Sequence, residues 1–196
     1  MKTTLALSLL ASMVRHIGVG GMSLALCCLL IGLPVGSALA APPVLQVDGK
    51  PFFPIGWYDS RLYGSAADAT AAFSGYPSQG MNSILLCYNN WGNPLAMTPT
   101  TLDGAAANGL KVMVEINRYA VQEVDGWPLS LIDEQVNAIK SHPALLGYYL
   151  MDEPELQGVS AATLQARYAQ IKALDATHPI SVVQTSGGQV LDYLSA

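Results

Sequence analysis

The sequence predicts a mixed α/β fold with parallel strands. Short apolar runs rich in β-formers recur about every 30 residues from position 51, the size of one βα unit. Longer segments with helical signals separate them, and strand, helix, strand repeated in this way implies parallel strands.

The predicted strands are Phe53–Trp57, Ser83–Tyr88, Lys111–Ile116, Leu146–Met151 and Ile180–Gln184. Between the first two, Ala66–Gly80 is Ala-rich but interrupted by Gly75 and Pro77, which predicts a short or broken helix. Thr98-Pro99 supplies an N-cap followed by proline at the first helical position, and Asn108-Gly109 supplies the stop. Ile132, Val136 and Ile139 make one apolar stripe, and Leu164, Tyr168, Ile171 and Leu174 make another. Ser141-His142-Pro143 and Thr177-His178-Pro179 precede the last two strands, where proline ends a helix. Both histidines are therefore expected at the amino ends of the strands, as caps or in solvent, and not as metal ligands.

Right-handed crossovers between parallel strands leave a closed barrel or a doubly wound sheet. No Gly-x-Gly-x-x-Gly turn follows the first strand, so a dinucleotide cofactor has no support and the barrel is preferred.

Residues 1–40 belong to a different physical class. Lys2, Arg15 and His16 precede an apolar run from Ile17 to Gly36, and Ser37-Ala-Leu-Ala40 ends it as an export signal would. Cleavage near Ala40 and a secreted or periplasmic destination are expected, with an uncleaved membrane anchor as the alternative. Loss of this leader takes the net charge from −5 to −7, and no basic face for nucleic acid remains. Cys27 and Cys28 leave with it, so Cys87 stands alone as a buried, inert thiol and no disulfide framework is expected.

Polar residues gather where the strands end, which is where parallel α/β folds place their chemistry. These ends read Tyr58-Asp-Ser-Arg61, Tyr88-Asn-Asn-Trp91, Asn117-Arg-Tyr119, Asp152-Glu-Pro-Glu155 and Thr185-Ser186. The fourth is the sharpest, because an apolar strand running into Asp152 and Glu153 must stop before two charges are buried, and Pro154 enforces the stop. Regular alternation sends Asp152 and Glu153 to opposite faces, so the two have different tasks.

Val47-Asp-Gly-Lys-Pro-Phe-Phe-Pro-Ile-Gly-Trp57, Gly80-Met-Asn82, Gly109-Leu-Lys-Val-Met113 and Gly147-Tyr-Tyr-Leu-Met-Asp-Glu-Pro154 together resemble the first half of clan A glycoside hydrolases. The resemblance implies a (β/α)₈ TIM barrel, incomplete here at about its first five βα units, with residues 41–196 as its N-terminal portion. A whole barrel runs to about 250 residues, and Gln189–Ala196 reads as the start of a further unit. In the clan the fourth strand commonly ends in Asn-Glu-Pro. By resemblance Glu153 takes the general acid/base role and Asp152 the contact to the sugar 2-hydroxyl, although Asp only accepts hydrogen bonds where Asn also donates. The clan's nucleophile comes from a seventh strand and is not expected within this chain.

Further substrate contacts are expected from Trp57 and Tyr58 as stacking faces, with Trp91 and Tyr119 behind them, and from Asn89 and Asn117 as hydroxyl binders or turn caps. Glu115 either approaches Glu153 from the neighbouring strand or balances Arg118 or Arg61. The expected function is retaining hydrolysis of a β-linked carbohydrate, without cofactor or metal, inactive in a truncated chain. A non-catalytic carbohydrate-binding or scaffold half-barrel is the alternative, and a metal-dependent hydrolase would need histidines at the strand ends. Oligomeric state, sugar and linkage are left open.

Overall fold

The computed structural model describes residues 44–87 and 94–185, and the elements below all belong to one compact unit that begins at Leu45. It opens with a small antiparallel hairpin, β1 (Gln46–Val47) and β2 (Lys50–Pro51). Asp48 and Gly49 join them at φ 51° and 72°. Positive φ at both central positions is the primed geometry whose twist suits a two-residue connection.

The main sheet follows as β3 (Gly56–Asp59), β4 (Ser83–Leu86), β5 (Lys111–Glu115), β6 (Leu145–Asp152) and β7 (Ile180–Val183). Their spatial order is the chain order, and every neighbouring pair is parallel. Among these strands the winding therefore never reverses direction, as it would at the switch point of a doubly wound sheet.

The first strand lies later than the sequence predicts. Pro54 has no N–H to give to a ladder, and the Asn82 side chain holds the predicted segment instead. Its amide donates to the Phe53 carbonyl at 2.9 Å and accepts from the Ile55 N–H at 2.7 Å. Regular pairing begins only at Gly56.

Helix α1 (Ala66–Phe73) starts at Ser65, whose Oγ accepts from the Asp68 N–H, and Pro77–Gln79 forms a separate 3-10 turn. The interrupted pattern of Ala66–Gly80 is thus a helix and a turn. Helix α2 (Pro94–Ala107) opens four residues before the predicted cap and carries Pro99 inside. Side-chain bonds tie this turn to the loop after β3, since Thr100 Oγ1 donates to the Tyr63 carbonyl and Thr101 Oγ1 accepts from the Tyr63 N–H. Helices α3 (Arg118–Val121), α4 (Ser130–Ile139) and α5 (Ala161–Leu174) complete the crossovers. Among the described residues no helix is long and apolar enough to cross a membrane.

One face of the sheet forms the core with these helices. Ile84, Leu86, Val112, Val114, Tyr148 and Leu150 alternate along β4, β5 and β6 and share a buried cluster with Phe73, Leu102, Ile132, Ile139, Leu164 and Ile171. The α4 stripe is buried as its periodicity predicts. In the α5 stripe Leu164 and Ile171 are buried and Leu174 packs against the core, but Tyr168 is half exposed, and Arg167 is buried in the same turn with its guanidinium on Glu123.

Strand β6 contains two register shifts, one against β5 around Leu146 and one against β7 around Leu150. At the first, Gly147 lies so close to β7's approach that a Cβ would sit 2.5 Å from the Pro179 carbonyl oxygen. At the second, Leu150 and Met151 are both buried in the core, which turns the next residue over. The amino end of β7 is fixed by Asp175, which caps the end of α5. Its carboxylate accepts from the Tyr148 hydroxyl at 2.7 Å, the Thr177 hydroxyl at 2.7 Å and His178 Nδ1 at 2.6 Å. Burial opposes ionisation here, but the hydrogen bonds from Thr177, Tyr148 and His178 outweigh it and hold the carboxyl well below its usual range.

Two outcomes follow for stability. Gly147→Ala should cost about 1–3 kcal/mol in urea unfolding through overpacking, whereas Gly75→Ala, with only a 3.6 Å contact to Gln79, should be nearly neutral. Because the folded Asp175 carboxyl ionises at lower pH than its unfolded value of about 3.9, the stability it contributes is present above that value and is lost as pH falls toward the folded value. Asp175→Asn should lower stability at pH 7 by on the order of 2 kcal/mol and flatten the loss between pH 5 and 3, read from thermal melts across that range.

Candidate functional site

The sheet face away from the helices carries a different set of side chains. Tyr58, Leu85 and Met113 are in register, and one step on come Cys87, Glu115, Tyr149 and Ser181. Toward the carboxyl ends this second row is polar, and it continues into Asp152, which Glu153 follows along the chain.

Asp152 belongs to this face only because of the shift at Leu150. Unbroken alternation would group it with Tyr148 and Leu150 in the helix-facing core, and the extra residue places it with Tyr149. The Tyr149 hydroxyl donates to Asp152 Oδ1 at 2.7 Å, and Tyr149 is itself almost wholly buried. Burial and this bond push the Tyr149 phenol well above its ordinary value, so it stays a donor. Gln157 Nε2 holds the Asp152 backbone carbonyl, and Gln122 Nε2 in turn donates to Gln157 Oε1 at 2.7 Å. Tyr149 is the residue that sequence reasoning missed. Its signal was the pair Tyr148-Tyr149, since buried hydroxyls on both faces of one strand each need a partner.

Glu153 follows at φ 45°, the left-handed region that a side chain occupies at a cost of about 1–3 kcal/mol. Its N–H donates to the Val183 carbonyl at 2.9 Å and its carbonyl accepts from Leu156 N, so the backbone is held at both sides. The side chain is half-buried, and among the described residues its carboxylate has no hydrogen-bond partner. Glu155 accepts instead from the Thr185 hydroxyl, tying the ends of β6 and β7 together.

Glu115 is 1% exposed, and its Oε1 takes both Nε and Nη2 of Arg118 at 3.2 and 3.1 Å. It pairs in register with Tyr149, three residues and about 10 Å before Asp152. The structure thus joins Glu115 to Arg118 and separates it from Glu153. Arg61 pairs with Asp59 at 3.2 Å and leans over Tyr63. Asn117 is buried at the start of α3, where Oδ1 accepts from the Ala120 N–H at 3.0 Å, so its side chain is a cap. Gln135 reinforces this corner by accepting from Asn117 N and donating to the Glu115 carbonyl.

Trp57 and Tyr58 are both more than half exposed. Tyr119 packs with Trp127 at 5.1 Å between centroids, beside a shallow hollow of about 440 Å³ in the loop Glu123–Leu129. Asn89 and Trp91 lie outside the described residues. Cys87 is buried beside Tyr58 and Glu115, and burial above all pushes its thiol up to about 12. His142 and His178 lie before β6 and β7, where they bond Asp103 and Asp175. Among the described residues no three His, Cys, Asp or Glu side chains group as metal ligands.

The arrangement offers one unpartnered carboxyl able to give or take a proton, a second carboxylate fixed by a phenol, and exposed aromatic faces at the first strand. The chain matches no protein-family model and no curated protein.

The buried setting of Cys87 has a direct readout. In a full chain with Cys27 and Cys28 changed to Ser, Cys87 should resist iodoacetamide at pH 8 in the native state and react fully in denaturant. Rapid native labelling would place the thiol in a solvent-open cleft instead.

Proposed function

We propose that the chain is the N-terminal portion of a (β/α)₈-barrel glycoside hydrolase in which Glu153 is the general acid/base for a β-linked carbohydrate. The observation that carries this reading is Glu153 itself. It is a carboxyl without a hydrogen-bond partner among the described residues, at the carboxyl end of the fourth strand of a sequentially ordered parallel sheet, on a backbone held in a costly conformation. Such strain persists only where its surroundings enforce it, and it concentrates at functional positions. The sequential winding and the helices packed on one face suit a barrel wall, and the opposite face then becomes the barrel interior.

In this reading Glu153 protonates the leaving oxygen and later draws a proton from water. Asp152 orients the substrate with the oxygen that Tyr149 leaves free, and Tyr58, in register with Leu85, offers an apolar face to sugar rings, whereas Trp57 is in register with Ile84 on the helix side. Glu115 and Arg118 serve as a neutralised pair that shapes the floor. A retaining mechanism needs a nucleophilic carboxylate about 5–5.5 Å from Glu153. Glu115 is engaged elsewhere, so the proposal assigns that role to a later strand of a longer protein. Residues 1–40 are proposed to direct export, which puts the site where extracellular polysaccharide is met.

The test is made on the longest reading frame that includes this chain. Glu153→Gln should reduce kcat on β-linked oligosaccharides by about 10²–10⁴-fold, with a smaller loss on aryl glycosides whose leaving group needs little protonation. Azide should restore turnover of the aryl substrate and yield a β-glycosyl azide. A variant that retains wild-type kcat on oligosaccharides removes Glu153 from the reaction.

A further inference from the structure

The opposite end of the sheet holds a second hollow, of about 380 Å³, bounded by the β1–β2 hairpin and the segments that lead into β5, β6 and β7. Its volume lies toward the small end of ligand clefts, roughly 300–1,000 Å³. Two physical kinds of lining meet there. Val47, Leu145, Leu146 and Pro179 supply apolar surface, and Lys111 and Lys140 supply positive charge.

The two lysines differ from the arginines among the described residues. Arg61, Arg118 and Arg167 each hold a carboxylate, of Asp59, Glu115 and Glu123. Lys111 and Lys140 have no carboxylate partner among the described residues. Lys111 Nζ donates to the Pro143 carbonyl at 2.7 Å, and Lys140 Nζ reaches the Leu174 carbonyl at 3.4 Å. An ammonium has three donors, so each keeps donors to spare while its stem is tethered beside the hollow. The histidines of the lining do not compete for an anion's place, since Asp103 and Asp175 already engage them. Asp48, on the hairpin turn, is the one acidic residue of the lining.

We propose that this hollow binds a small organic anion, with its acidic head between Lys111 and Lys140 and its apolar body on Val47, Leu145, Leu146 and Pro179. Two cations with donors to spare beside apolar walls favour a ligand that satisfies both at once, because a neutral ligand leaves the ammonium groups unpaired and an inorganic anion leaves the apolar surface wet. The site is independent of any reaction at the carboxyl ends.

Calorimetric titration of the full chain with benzoate, benzamide and inorganic phosphate at matched ionic strength tests it. Benzoate should bind saturably, and benzamide and phosphate at least about tenfold more weakly. Lys111→Met and Lys140→Met should each weaken benzoate about tenfold, the scale of one charge-assisted hydrogen bond. Cooperative thermal unfolding confirms that each variant is folded, and because the Lys140 bond to backbone is long, Lys140→Met stands as the decisive variant if Lys111→Met does not fold. Glu153→Gln should leave benzoate affinity unchanged. The proposal is overturned if benzamide binds as tightly as benzoate, if Lys140→Met binds it like the parent, or if Glu153→Gln abolishes binding.

Discussion

Strand β6 has to meet two neighbours while containing one residue too many for each. It is buried along almost its whole length and lies between β5 and β7, so it cannot slide to relieve the mismatch. The excess is absorbed by local shifts at Leu146 and Leu150, and at the second of these Leu150 and Met151 enter the apolar layer together. Gly147 is the complement of the first shift, where β7's approach leaves no room for a side chain. The orientation of Asp152, the bond from Tyr149 and the position of Glu153 all descend from the second. Structure at the carboxyl end is thus set inside the strand, several residues before the charged groups appear.

That constraint also explains the division of labour between the sheet faces. The helix-facing side is a continuous apolar layer in which polar groups occur only with partners, as with Tyr148 on Asp175. The other side begins apolar with Leu85 and Met113 and becomes polar toward the strand ends, through Cys87, Glu115 and Tyr149. Buried charge is matched locally on both sides: Glu115 with Arg118 on this one, and Asp59, in register with Leu86, with Arg61 on the other. Among the described residues the Glu153 carboxylate has no such partner.

Much of this was legible in the residues themselves. Strand spacing, the parallel arrangement, the α4 stripe and the burial of Cys87 follow from periodicity and composition. So does the gathering of polar residues at the strand ends. Three features were not legible, each for a physical reason. The first strand moved because Asn82, nearly thirty residues away, supplies hydrogen bonds that Pro54 denies to the ladder. Tyr168 was displaced from the α5 stripe by Arg167, whose partner Glu123 lies in another loop. Asp152 changed faces because bulges obey packing against both neighbours, and alternation counted along one strand contains no information about them. Asn117 and Glu115 illustrate the same limit on a smaller scale. Their residue types suit substrate recognition, but a helix start and an arginine one turn away claim them first.

The shift at Leu150 has an evolutionary corollary. Loss of the Leu150 codon would remove the bulge and leave Asp152 opposite Val183 on its present face, whereas one further residue inserted and paired in the ladder would swing its carboxylate toward the oily helix layer. Point substitutions in β6 leave the parity of its tip unaltered, so side-chain volume can drift, and of the possible length changes the one that removes the extra residue itself also keeps the tip facing as it does.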